Sequence, residues 1–283
     1  MLTRFQGILS VVRRSVHDWL GPRSAPRREP RSYALDPSTG ETVYGDVPLR
    51  FRNLTLTEAD VQAMDDPHEG APGFKIRISK LAPGRRQAGA LVEDRYSDRG
   101  YQVHGKARDP NLFTFIAYDE GHLVGTVAVR LDSPAGLSAD QIYREEIDAL
   151  RAQGSRLCEF TRLAVDKTSA SQPVLAGLFH TAYLHAALLR GCTHAVIEVN
   201  PRHVLFYKRM LSFDVLGPER MNMRVKAPAV LLYVPFATIA AGLARFAGRH
   251  NDPQAGRSLF RFGFPPHEEA GVLRRLRDLA AEG

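Results

Sequence analysis

A glutamate and an arginine stand three residues apart in a run that otherwise reads as a core strand: Cys158-Glu159-Phe160-Thr161-Arg162-Leu163-Ala164-Val165-Asp166. Burying either charge alone is costly, so the pair needs a reason. One reason is a structural ion pair. The other is that Glu159 faces a cleft and takes a proton from an incoming amine, which is general-base chemistry. Strict alternation sets Glu159 and Arg162 on opposite faces, so bringing them together requires a bulge. A second block runs Glu198-Val199-Asn200-Pro201-Arg202-His203-Val204-Leu205-Phe206-Tyr207. A strand ends at Asn200, and the helix that follows carries Tyr207, whose hydroxyl can face the open end of the strand or sit satisfied in a core. No Cys or His cluster has metal-site spacing: His180 and His185 are five apart on one expected helix and share no face well enough to form a metal pair. Cys158 and Cys192 read as reduced core thiols in a reducing compartment.

These residues need elements to hold them. Phe74, Ile76 and Ile78 alternate in a strand over 74–79, and a helix is expected over 85–101. Strands 112–118 and 123–131 are joined by the turn Asp119-Glu120-Gly121. A helix follows over 138–151, with Ser138 as N-cap and Gly154 as the stop. Then come a strand at 156–165, a loop at 166–173, a helix at 174–189, a strand at 194–199 and a helix from Asn200 to Leu211. Three more strands are expected near 213–216, 221–225 and 229–234. The uncharged run 227–244 approaches membrane-span length, but Pro228 and Pro235 bracket what reads better as a buried strand, with a short helix at 236–246. A polar loop at 248–258 precedes a last helix, whose Glu268 and Glu269 start it and whose Arg274, Arg275 and Arg277 follow, as the helix dipole prefers. Helices and strands alternate, with a hairpin early and several strands late. The fold class is therefore α/β (α+β), a mixed sheet covered by helices.

The chain has 283 residues, 44% of them hydrophobic, enough for one large core with appended tails. The net charge of +7 suggests an acidic partner, which can be nucleic acid, an anionic membrane or an acidic carrier protein. No nucleic-acid motif is present, and nucleic acid is not expected. Residues 1–21 have the pattern of an amphipathic helix, for a membrane surface, a partner or the protein's own core. Residues 22–32 are a proline- and arginine-rich linker, and 33–70 are polar and turn-rich with weak structure. The expected division is a partly disordered tail over 1–70, a core over 71–235 and a helical extension over 236–283. No signal peptide is visible, so a cytoplasmic location is expected, with peripheral membrane contact through 1–21 left open.

The order strand, loop, helix, strand, Asn200, helix, Tyr207, Phe213 resembles the acyl-CoA-binding half of GNAT acyltransferases. That resemblance implies a mostly antiparallel mixed sheet, flanked by helices, whose splayed central strands hold a thioester arm. It implies that backbone N–H groups of strand 156–165, with Val165 at the substrate, polarise the thioester carbonyl, and that Tyr207 protonates the departing thiolate. The loop Lys167-Thr168-Ser169-Ala170-Ser171-Gln172-Pro173 lacks the glycines that a diphosphate's close approach needs. The single phosphodiester of an acyl-phosphopantetheine on acyl carrier protein asks less, and Ser169 and Ser171 at a helix N-terminus can hold it. The donor is thus expected to be acyl carrier protein rather than acyl-CoA, with no tightly bound cofactor.

A closer likeness exists. Glu159-Phe160-Thr161-Arg162-Leu163-Ala164 is similar to a block of acyl-homoserine-lactone synthases, and Arg95-Tyr96 with Arg99-Gly100-Tyr101 resembles their Arg-Tyr…Arg segment. The run 74–234 looks most like the N-acyl amino acid synthases of the FeeM type, in Gly125-Thr126-Val127-Ala128-Val129-Arg130-Leu131-Asp132-Ser133, in 157–166 and in Glu198-Val199-Asn200-Pro201-Arg202-His203. This resemblance implies a long-chain acyl donor on a carrier protein and an amino acid acceptor. Glu159 becomes the candidate base, directly or through water. Arg162 and Arg130 become candidates for orienting Glu159 or binding the acceptor carboxylate, for which a fork of donors is suited. Arg95 is a further substrate-binding candidate, as is Asn200, and Arg202 with His203 can meet the carrier's phosphate or form a solvated helix start. The alternatives are a CoA-dependent N-acetyltransferase and a non-catalytic acyl-binding protein.

Overall fold

The computed structural model describes residues 41–45, 74–79, 109–119, 121–165 and 172–281. Alternating apolar residues make the first strands. Phe74–Ser79 (β2) buries Phe74, Ile76 and Ile78, and lies antiparallel between Glu41–Tyr44 (β1) and Leu112–Asp119 (β3). β3 returns as His122–Leu131 (β4) through a turn in which Gly121 takes a φ of +80, open to glycine at little cost. β4 pairs antiparallel with Leu157–Val165 (β5), and β5 pairs parallel with His194–Val199 (β6). Ala227–Pro235 (β8) closes on β6, and Asp214–Asn222 (β7) forms the far edge. The order is β1-β2-β3-β4-β5-β6-β8-β7, with β5–β6 the one parallel pair among the described strands.

Helices cover both faces. Asp140–Ala152 (α1) packs Tyr143, Ile147 and Leu150 against Leu157, Val196 and Leu231. The other face carries the larger core, under Gln172–Tyr183 (α2), Val204–Leu211 (α3), Phe236–Phe246 (α4) and Pro266–Ala281 (α5). This is the mixed, mostly antiparallel sheet flanked by helices that the sequence implied. Among the described residues no helix is long and apolar enough to cross a membrane, and the apolar run near 227–244 is β8 followed by α4.

Several local expectations are corrected. Ser138 does not cap α1: the helix begins at Asp140, whose Oδ2 accepts the Leu137 N–H at 2.7 Å, and Arg151 ties Asp140 to Asp132 with contacts of 2.8 Å. The expected helix 174–189 is α2 followed by a π-helical turn, Leu184–Leu189. The separate strands near 213–216 and 221–225 are one irregular strand, β7, and its hairpin turn. Within 33–70, Glu41–Tyr44 is an edge strand rather than weak structure. The expected helices at 1–21 and 85–101 lie outside the described residues.

Candidate active site

β5 is irregular at the point where chemistry was expected. Ala128 pairs with Thr161 and Thr126 with Ala164, so β5 carries one extra residue across that step. Arg162 absorbs it in a left-handed conformation, φ +52, which costs a non-glycine residue about 1 kcal/mol or more. A bulge is therefore present in β5. The arginine directly across from Glu159 is nonetheless Arg130 of β4, not Arg162.

The second irregularity is a parting of strands. β5 pairs with β6 at Leu157↔His194, Cys158↔Ala195 and Glu159↔Val196, and there the pairing stops. β5 continues along β4 to Val165, while β6 continues along β8 to Val199. Past Glu159, β4 is the one strand that β5 pairs with among the described strands.

Glu159 stands at the fork, 2% exposed, and its Oε2 accepts the Ser138 N–H at 2.6 Å. Burial, helped by the nearby Glu198 carboxylate, pushes its pKa up to about 7; the Ser138 N–H and Arg130 pull the other way. Glu198 lies on the same face, two residues beyond Val196, which packs under α1. Its Oε2 accepts from Asn222 Nδ2 at 2.6 Å, and burial raises its pKa too. Asn222 is itself fixed, because its Oδ1 accepts the backbone N–H groups of Arg224 at 3.0 Å and Val225 at 3.4 Å. Arg130 reaches Asp109 through Nη2 at 3.1 Å.

The opposite face is apolar. Tyr207 lies buried among Phe179 and Phe213, edge-on to each, at 6.3 and 5.8 Å between ring centres. Beside that cluster, Phe160, Phe179, Leu211, Phe213, Leu243 and Phe260 line a cavity of about 370 Å³, mouth included. It does not reach Glu159, which projects from the other side of β5. Asn200 is occupied structurally: its Oδ1 accepts the Arg202 N–H at 3.3 Å and its Nδ2 donates to the Pro228 carbonyl at 3.4 Å. Arg202 is exposed, donating to His203 Nε2 at 3.2 Å, and Val165 is buried at the end of β5. Arg95, Ser169 and Ser171 lie outside the described residues. His180 accepts the Phe264 N–H at Nδ1 and meets Glu269 through Nε2, while the His185 ring packs at a tilt against Phe113, so the two serve different neighbours. Both cysteines are free thiols, Cys158 buried and Cys192 half-buried. Sequence reasoning gave Glu198 no role, although it carries the same signal as Glu159, a carboxylate in an apolar strand.

A mixed sheet that opens between two parallel neighbours, next to a bulged strand and a buried carboxylate, is that of the GNAT-like N-acyltransferases, and this chain is one. More narrowly, it belongs to the family of the N-acyl amino acid synthase FeeM, whose profile matches residues 87–235. The solved structure of FeeM, an N-acyl amino acid synthase from uncultured soil microbes, is 27% identical, with a TM-score of 0.54 over 58% of this chain and 92% of that one. A putative N-acetyltransferase from Lactobacillus plantarum is 20% identical (TM-score 0.42, 58% and 99% of the two chains). The AHL synthase LasI is 14% identical (TM-score 0.41, 58% and 90%). No curated protein matched the chain.

Proposed function

We propose that this N-acyltransferase moves a long-chain acyl group from acyl carrier protein onto the amine of an amino acid. The observation that carries the reading is the parting of β5 and β6 immediately after a buried carboxylate whose pKa is set near 7. A pantetheine arm enters the opening, with Val165 along its path. Glu159 takes a proton from the acceptor ammonium, and the free amine attacks the thioester carbonyl. Donors on β5 stabilise the oxyanion, and the C–S bond then breaks. Of the two protons the nitrogen loses, one leaves through Glu159 to solvent. The other ends on the thiol, delivered by the Tyr207 hydroxyl and restored to it from the nitrogen of the intermediate. The two residues stand on opposite faces of the sheet, as a base on the acceptor side and an acid on the thiol side require.

Arg130 receives the acceptor carboxylate, with Arg95 as its second contact, and Arg162 holds the bulge that aims the β5 donors. Ser169, Ser171 and exposed Arg202 meet the carrier's phosphodiester. The net charge of +7 and the glycine-free loop after β5 favour an acidic carrier over coenzyme A. The test supplies the purified protein with palmitoyl-acyl carrier protein, palmitoyl-CoA or acetyl-CoA and the common amino acids, and reads amide products by mass spectrometry. The expected result is an N-acyl amino acid made best from the carrier. Equal use of acetyl-CoA overturns the donor assignment, and binding of the carrier without product overturns the enzymatic one.

A further inference from the structure

Two buried polar atoms flank Glu159 without hydrogen-bond partners among the described residues: Glu198 Oε1 on β6 and Arg130 Nε on β4. A buried orphan of this kind costs about 1–3 kcal/mol, and more when the group is charged. The two atoms are complementary, since one lacks a donor and the other an acceptor. Their strands are the immediate neighbours of β5, two strand spacings apart where all three are paired and wider past the fork, where Glu198 lies. Arg130 pairs directly with Glu159, and Glu198 follows two residues after Glu159's partner Val196, on the same face. Glu198 cannot simply turn to relieve its free oxygen. Asn222 holds its other oxygen at 2.6 Å and is clamped by the β7–β8 turn.

We propose that Glu198 Oε1 receives the ammonium of the acceptor while Arg130 Nε receives its carboxylate, so that the substrate must carry both groups. The inference rests on the N-acyl transfer reading above and adds to it a residue and a requirement. An α-amino acid seated this way brings its nitrogen to Glu159, between the two clamps. After Glu159 takes one proton, the amine keeps an N–H on Glu198 and turns its lone pair toward the opening between β5 and β6. Glu198 thus binds and aims the nitrogen, and Glu159 removes the proton. Other groups among the described residues face this pair. Asp109 holds Arg130 from the loop before β3, Arg224 and Asn222 approach Glu198 from the β7–β8 turn, and Tyr143 approaches from α1 with its hydroxyl on backbone carbonyls of Pro218 and Ala229.

The variant to measure is Glu198→Gln, which keeps shape and the Asn222 contact. Using palmitoyl-acyl carrier protein and the best acceptor from the amino acid screen, KM for the amino acid is expected to rise by about tenfold or more, with KM for the carrier unchanged. The acid limb of the kcat/KM profile is expected to move to lower pH, because loss of a neighbouring negative charge eases ionisation of Glu159. An acceptor KM and a pH limb both equal to wild type overturn the assignment. A second measurement needs no variant: the 2-hydroxy acid and the decarboxylated amine of the same acceptor should each compete with it at least about tenfold more weakly on the unaltered protein. If either competes as well as the amino acid itself binds, the two-ended clamp is wrong. Wild-type protein that acylates no amino acid removes the underlying reading as well, whereas activity with an unaltered Glu198→Gln profile removes only the clamp.

Discussion

Glu159 is held between opposing influences, and each has a measurable consequence. Glu159→Gln keeps the shape and the Ser138 contact but cannot accept a proton, so turnover is expected to fall about a hundredfold or more, with an unchanged circular dichroism spectrum. In the unaltered enzyme kcat/KM should rise with pH through about 7, as the base ionises. Folding stability should move the opposite way. The carboxyl's pKa is raised from 4.5 to about 7 on folding, so its contribution is fully present below pH 4.5 and is lost as pH rises through 7. The loss is on the order of 3 kcal/mol, and the Gln variant, which has no such group, is expected to melt at or above wild type at pH 8. Glu159 was legible in the sequence because a charge in an apolar strand has few explanations. Glu198 offered that signal too, but its meaning depends on Asn222, 24 residues on, and on which strands adjoin. Which arginine faces Glu159 depends on cross-strand register, and that favoured Arg130, 29 residues back in the chain, over Arg162 three residues away.

Two strand irregularities decide how the elements serve the site. The bulge at Arg162 was expected only as a condition for uniting Glu159 with Arg162; its effect is instead to switch the facing of the residues after it. Arg162→Gly relieves the positive φ, whereas Arg162→Val places a β-branched residue where it fits worst. Urea denaturation should find the glycine variant at least as stable as wild type and the valine variant about 1–2 kcal/mol less stable. β7 is the other case. Gly217-Pro218 interrupts the apolar pattern and reads as a break between strands, yet β7 continues through it with register shifts on both sides of Gly217. The reason is packing: a Cβ at Gly217 would stand 2.6 Å from Cδ1 of Tyr143, the fully buried ring of α1. Periodicity cannot register a backbone drawn against a helix 74 residues earlier. Gly217→Ala should therefore cost about 1–3 kcal/mol in the same assay, since neither ring nor strand has room to move.

At the scale of the whole chain, the sequence made the central sheet readable and hid how its two ends join. The order of strands and helices from β2 to β8 follows from local pattern, because each element buries its own face. β1 does not, as four residues of edge strand in a polar stretch carry little signal. Besides its pairing with β2, it is held by residues late in the chain: Arg275 Nε donates to the Val43 carbonyl at 2.8 Å, Tyr44 donates to Glu268 at 3.2 Å, and the Tyr44 and Phe264 rings pack at 4.3 Å between centres. The family match ends at residue 235, but the core does not. Ile239, Leu243, Leu259, Phe260, Val272 and Leu276 belong to the same buried cluster as Phe160, Phe179 and Tyr207. Removing everything after Pro235 would uncover that face of α2 and α3, an apolar patch larger than a soluble monomer normally exposes. It would also leave His180 without Glu269 and the Phe264 N–H, and β1 without its clasp. A chain ending at 235 is therefore expected to aggregate, or to bind the dye ANS with loss of near-ultraviolet circular dichroism, despite retaining the whole family match and both carboxylates. A soluble, sharply melting truncation that still acylates would show instead that the C-terminal helices are dispensable to the core they cover.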